Sequence, residues 1–137
     1  MSGYPRVLVH PQALRHNLAV VRRIAPGCPV MAVVKADGYG HGLAAVRAGL
    51  ASADAFAVAR VDEGVTLRAA GCQLPIIVLE GAMDAAEQQA AAAHGLALVL
   101  HRPAQSDLAA SAAAANSPGV PDYSRKVHYG MHRLGVP

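Results

Sequence analysis

Short apolar runs alternate with helix-patterned stretches along these 137 residues, and no other feature constrains the fold as strongly. Val30–Ala36, Ala55–Ala59, Leu74–Leu79 and Leu96–Leu100 are runs of the length and bounding expected for buried strands of a parallel sheet. Between them lie helical stretches. Leu43–Ala51 sets Val46 and Leu50 on one face, and Glu63–Ala70 has Asp62 as a cap and Gly71 as its stop. Ala82–His94 ends at Gly95, and Pro103–Ala115 follows the fourth run. Upstream, Arg6–Val9 reads as a short strand. Pro11–Ile24 reads as a helix with a first-turn proline, helical spacing of Leu14, Leu18 and Val21, and a Pro26-Gly27 stop. Asn116–Asp122 is loop by composition, and a last strand falls near Arg125–Tyr129.

Strands and helices alternating at about 20–30 residues per unit predict an α/β fold with βαβ crossovers. Two architectures answer to that pattern: a five-stranded open doubly wound sheet, or part of an eight-stranded (β/α)8 TIM-type barrel. A whole barrel needs about 250 residues. Periodicity does not separate the two.

Composition narrows the class. The chain is 53% hydrophobic and 15% charged, which excludes a disordered segment. A net charge of +3 from dispersed basic residues does not argue for nucleic acid. No apolar stretch has the length of a membrane span and no signal-peptide core is seen, so the expected location is cytoplasmic. Cys28 and Cys72 lie outside any metal or redox spacing and read as reduced thiols. His10, His16, His94 and His101 have no metal spacing and read as surface residues; no metal site is expected.

The chemistry concentrates in Pro29–Gly42, where an apolar run ends on Lys35 and a glycine-rich turn carrying Tyr39 follows. A lysine there is costly, because desolvation disfavours its ammonium form and makes the amine nucleophilic towards carbonyls. Turn N–H groups, the Tyr39 hydroxyl and a helix start near His41 suit a phosphate. An aldehyde bearing a phosphate is pyridoxal 5′-phosphate. A lysine snorkelling into solvent beside a flexible turn answers to the same residues. Ten of the twelve basic residues are arginine, so the lysines at 35 and 126 stand out.

Val34-Lys35-Ala36-Asp37-Gly38-Tyr39-Gly40-His41-Gly42 resembles the cofactor-attachment signature of the alanine racemases, the pyridoxal-phosphate enzymes of fold-type III. The family usually has alanine at the position of Gly38. The likeness extends to Asn17, Phe56-Ala57-Val58-Ala59, Glu63-Gly64 and Gly130-Met131-His132-Arg133-Leu134-Gly135. It implies the barrel, and a truncated N-terminal cofactor-binding barrel domain over residues 1–137 of about five βα units, without the family's C-terminal β-domain.

The resemblance also implies roles. Lys35 carries the cofactor as an aldimine and moves a proton at the substrate α-carbon; Tyr39 hydrogen-bonds the phosphate. Arg133 serves the cofactor's phenolic oxygen and the substrate carboxylate, and Lys126, often carbamylated in the family, orients it. Here the family's Lys-Val-Asp-Thr-Gly reads Lys126-Val127-His128-Tyr129-Gly130, with bulkier side chains. His41 and His132 receive no proton-transfer role. The implied activity is an isomerase interconverting L- and D-alanine and feeding cell-wall peptidoglycan precursors. The opposite-face acid is a tyrosine of the partner subunit in the family, with Tyr123 and Tyr129 the conceivable substitutes here. The expected partners are alanine, a second copy or a complementary C-terminal fragment, with neither nucleic acid nor membrane. A single-domain pyridoxal-phosphate carrier and a non-catalytic remnant are the competing functions.

Overall fold

A computed structural model of the chain describes residues 3–114 and 121–136. Five strands form one sheet: β1 (Met31–Val33), β2 (Ala55–Val58), β3 (Ile76–Val78), β4 (Leu96–Leu100) and β5 (Tyr123–Arg125). Six helical elements accompany them: α1 (Pro11–Ile24), α2 (Lys35–Tyr39), α3 (Leu43–Gly49), α4 (Val61–Ala69), α5 (Ala85–Ala93) and α6 (Pro103–Ala114). Every pairing is parallel, and the strand order is the chain order, β1-β2-β3-β4-β5. A doubly wound sheet reverses its order at a switch point. This one never does, so the open-sheet alternative falls and the barrel arc stands.

Register explains which face is covered. Ala32, Phe56, Ile76 and Leu96 form one row across the sheet, and Val58, Val78, Leu98 and Tyr123 the next. These side chains point to the helices, where Phe56, Val58, Ile76, Val78, Leu96 and Leu98 pack with Val46, Val61, Leu67 and Ala91. The alternate row, Val33, Ala57, Ile77 and Ala97, lines the other face. There Met31 and Val33 stay 46% and 38% exposed, although they are large and apolar. The outermost strands, β1 and β5, each pair on one side only.

Small residues bring the layers together. A Cβ on Gly49 would sit 2.7 Å from Leu14 Cβ, so α1 and α3 touch there. On Gly64 it would sit 2.8 Å from Leu96, so α4 lies directly on the sheet. The entry to β1 is tied electrostatically: Val30 N–H donates to Asp54 Oδ2 at 2.6 Å, and Arg22 donates to the same oxygen at 2.9 Å.

Four expectations need correction. Residues 6–9 form no strand; Val7 and Leu8 are over three-quarters exposed, and an apolar run without a neighbouring strand has no ladder to join. The last strand lies at Tyr123–Arg125 rather than near Arg125–Tyr129, because pairing Leu98 with Tyr123 sets the register and Lys126 N–H closes the ladder on Leu100. Helix α4 starts at Val61 after Arg60, so Asp62 is inside the first turn and Glu63 reaches back to Arg60 N–H. His101 is buried, its Nε2 2.9 Å from the Glu80 carbonyl and its N–H donating to Gln105. The loop expected over Asn116–Asp122 lies mostly outside the described residues. Cys28 and Cys72 are both free.

Two outcomes test this packing. Leu98→Ala, on the helix side, is expected to lower unfolding free energy by about 2–5 kcal/mol, and Val33→Ala, on the open face, by less than about 1 kcal/mol, in chemical denaturation. The Val30 N–H and the Arg22 guanidinium hold the Asp54 carboxyl below the usual carboxylate range. Its folded pKa is depressed, so its contribution is complete above about pH 4 and is lost as pH falls further. Asp54→Asn should flatten that acid limb in a series of melts from pH 7 to 2.

Candidate active site

The strand before Lys35 stops at Val33, short of the Val30–Ala36 run expected, and does not end in an ordinary turn. Val34 N–H still bonds Ala57 O on the sheet, and then the chain reverses hand. Ala36, Asp37, Gly38 and Tyr39 lie at φ 53, 53, 63 and 57°, a single left-handed turn. Three of the four carry a Cβ, and each such residue costs roughly 1–2 kcal/mol. The turn therefore needs external support, and it receives it. Gly38 N–H donates to Val34 O at 2.9 Å and Gly40 N–H to Ala36 O at 2.9 Å. Ala36 N–H donates to Glu63 Oε1 at 2.6 Å, and Leu43 N–H to Asp37 Oδ1 at 2.7 Å. The Asp37 bond anchors the start of α3, so the helix begins at Leu43 and not near His41.

Gly38 sits at the tightest point. A Cβ there would lie 2.6 Å from Val46 Cγ2. Around Gly40 and Gly42 nothing lies within 4 Å of an added Cβ, so the backbone beyond the turn is open to approach. His41 spends its Nδ1 on the Gly38 carbonyl at 2.9 Å. It closes the turn and takes no visible part in chemistry.

Lys35 is partly buried, next in the chain after the fully buried Val34 and two residues beyond the end of β1. It forms no ion pair among the described residues. Tyr39 is 58% exposed on the same turn. At the opposite edge, Lys126 continues β5 in the parity of Ser124 and is exposed. Its carbonyl accepts Val136 N–H at 2.9 Å, and His128 N–H donates to Val136 O at 2.9 Å, which closes the loop that carries Arg133. Gly135, at φ 116°, leaves only 3.1 Å between an added Cβ and both His128 N and Lys126 O. Arg133 is exposed.

The structure thus joins Lys35 to Tyr39, and Lys126 to Arg133, but places the pairs on the first and last strands. Four strand spacings of about 4.8 Å separate them along the sheet. His128 and His132 pack edge to face at 4.9 Å between ring centroids. Tyr123 shares the helix-side row with Leu98; its hydroxyl is buried with no hydrogen-bond partner among the described residues, and burial pushes its pKa up. Tyr129 is 91% exposed. Among the described residues no cluster of three metal-binding side chains occurs, and no helix is long and apolar enough to cross a membrane.

Glu63 and Asp37 are the residues that sequence reasoning passed over as supports. Glu63 drew notice only beside Gly64 as a motif. Its position as third residue of a helix after a strand was the available signal, since such carboxylates reach back to free N–H groups.

The Gly38–Val46 contact predicts a paired effect. Gly38→Ala should destabilise by about 1–2 kcal/mol from the left-handed backbone and crowding. Val46→Ala added to it should restore the crowding part, leaving a favourable coupling in a double-mutant cycle read by denaturation.

Comparison with known proteins accords with this geometry. The family model described as the alanine racemase N-terminal domain matches residues 9–137. The alanine racemase of Nitrosococcus oceani is 50% identical over 135 residues, covering 98% of this chain and 37% of that protein. The biosynthetic alanine racemase of Salmonella typhimurium is 45% identical over 130 residues, covering 95% and 35%. Among solved structures, alanine racemase from Acinetobacter baumannii superposes with a TM-score of 0.86 at 31% identity, over 93% of this chain and 38% of that one. Biosynthetic alanine racemase from Pseudomonas aeruginosa gives 0.85 at 38% identity, over 94% and 36%. The chain spans little more than a third of the length of these relatives. With matching motifs, strand order and superposition over nearly its whole length, this chain belongs to the alanine racemase family, in the part described as its N-terminal domain.

Proposed function

We propose that these residues form the cofactor-holding N-terminal part of an alanine racemase, in which Lys35 binds pyridoxal 5′-phosphate and moves the α-proton of alanine. The position of Lys35 carries this reading. The residue is partly buried and free of ion pairs among the described residues, just beyond the C-terminal end of the first parallel strand. Barrel chemistry gathers at that end.

The residues fit the group. An amine suits the aldehyde, and the exposed Tyr39 with the open backbone at Gly40 and Gly42 suits the phosphate. When bound, pyridoxal phosphate supplies an electron sink that acidifies the α-proton of an attached amino acid. Lys35 would hold the group through its aldehyde carbon and, with its amine released when the amino group of alanine takes that place, would move a proton at the alanine Cα on one face. The Tyr39 hydroxyl donates to a phosphate oxygen. The Arg133 fork binds the phenolic oxygen and the alanine carboxylate, and Lys126 orients it.

Racemisation also needs a proton-moving group on the opposite face. Tyr123 is turned among the helices and Tyr129 into solvent, so neither is assigned that role. We assign it to a second copy or a complementary C-terminal part bearing the β-domain. The one-sided pairing of β1 and β5 and the exposed Met31 and Val33 support such a partner. The product, D-alanine, would enter cell-wall precursor synthesis in the cytoplasm.

A second reading, a pyridoxal-phosphate carrier without turnover, draws on the exposure of Arg133 and on His128 and Tyr129 beside Lys126. Titration of the chain with pyridoxal 5′-phosphate, borohydride reduction and peptide mapping come first. We expect the reduced label on Lys35. Label spread over Lys35, Lys126 and the N-terminus would overturn cofactor binding and leave a non-catalytic remnant. With Lys35 labelled, conversion of D-alanine after adding a C-terminal half separates racemase from carrier.

A further inference from the structure

The segment around Lys35 is held by a side chain that no catalytic role explains. Glu63 Oε1 accepts Ala36 N–H at 2.6 Å, one residue beyond the lysine. Its other oxygen, Oε2, accepts Ala59 N–H at 2.7 Å and Arg60 N–H at 3.1 Å, in the connection that follows β2. One carboxylate thus ties the first βα connection to the second. It bonds three backbone donors with two oxygens, a task only an ionised or doubly accepting group performs. The residue it holds, Ala36, is the first of the left-handed run, with φ 53° and ψ 53°.

We propose that Glu63 is a positioning residue for Lys35. It holds the strained turn in the one conformation that aims the amine over the uncovered face of the sheet. The inference rests on the cofactor-binding reading of Lys35 and deepens it. The physical reason is the direction of the chain. Ala36 N–H belongs to the peptide unit that joins Lys35 to Ala36, so the bond to Glu63 holds that plane, and with it ψ of Lys35, at the point where the chain turns left-handed. Local bonds close the turn upon itself, Gly38 N–H on Val34 O and Gly40 N–H on Ala36 O. They tie it back to Val34 at the end of β1 and reach no residue of the connection after β2. The Asp37 carboxylate ties its far end to α3 through Leu43 N–H. Glu63 alone, among the described side chains, ties its near end to the neighbouring strand connection.

The test uses Glu63→Gln, which keeps the shape but offers one acceptor oxygen where two are used. Asp62→Ala serves as the control. Asp62 Oδ1 accepts Glu63 N–H at 3.0 Å, so its loss weakens the same helix start without touching the turn. Two quantities are read on the full chain: the hydrogen-exchange rate of the Ala36 amide, and the ratio of borohydride-fixed pyridoxyl label on Lys35 to that on Lys126. Glu63→Gln is expected to speed Ala36 exchange about tenfold or more while the Leu96 and Leu98 amides keep their protection. It should lower the Lys35-to-Lys126 label ratio by about tenfold, and Asp62→Ala should change neither by more than about twofold. Unchanged exchange and ratio in Glu63→Gln overturn the proposal, as does an equal loss in Asp62→Ala. If the unsubstituted chain shows no preference for Lys35, the cofactor-binding reading falls on its own, and the Ala36 exchange rate then decides whether Glu63 holds the turn.

Discussion

Everything in this structure depends on one face of the sheet finding cover. Phe56, Val58, Ile76, Val78, Leu96 and Leu98 alternate along their strands with residues of the other face, so they are buried only if helices lie on one side of the sheet. Each crossover then passes over the same face and each new strand joins beside the last. The strand order follows from that repetition.

Chemistry and stability are divided between the two faces. The helix side holds most of the large buried residues, while the uncovered side holds Ala57, Ile77 and Ala97, two exposed apolar residues of β1 and, beyond β5, Lys126. Lysine on the helix side would have to shed its charge or find a buried partner. On the open side it needs neither. The left-handed turn after β1 adds a second element to this division. Its backbone is unfavourable by itself and is supported because Glu63 of α4 accepts its Ala36 N–H while its own Asp37 accepts Leu43 N–H at the start of α3. Rigidity at the site is therefore borrowed from the first turns of α3 and α4.

Departures from the family pattern fall where this economy predicts tolerance or constraint. Gly38, in place of the usual alanine, faces Val46 at a distance that leaves no room for a methyl group. His128 and Tyr129, in place of an acid and a small hydroxyl, lie on a loop closed by backbone bonds between Lys126, His128 and Val136. Those bonds are indifferent to side-chain type, so the loop keeps its form while its chemistry changes.

Much of this was legible in the residues. Apolar runs bounded by glycine and proline determined the order of strands and helices, and β4 and α1 fall where periodicity put them. The lysine at the end of the first strand was legible too, because an apolar run seldom tolerates a charge. Tertiary structure decided what depends on partners distant in the chain. Pairing to β4 placed β5 at Tyr123–Arg125 and turned Tyr123 away from the open face. The lack of a neighbouring strand left Val7 and Leu8 exposed. The hand of the turn at Ala36 and the work of Glu63 appear only when β1 and β2 lie side by side, since a carboxylate 27 residues away cannot be matched to an N–H by spacing alone. Local patterns record what a residue prefers with its neighbours in the chain; which donor meets which acceptor is set by the packing that follows.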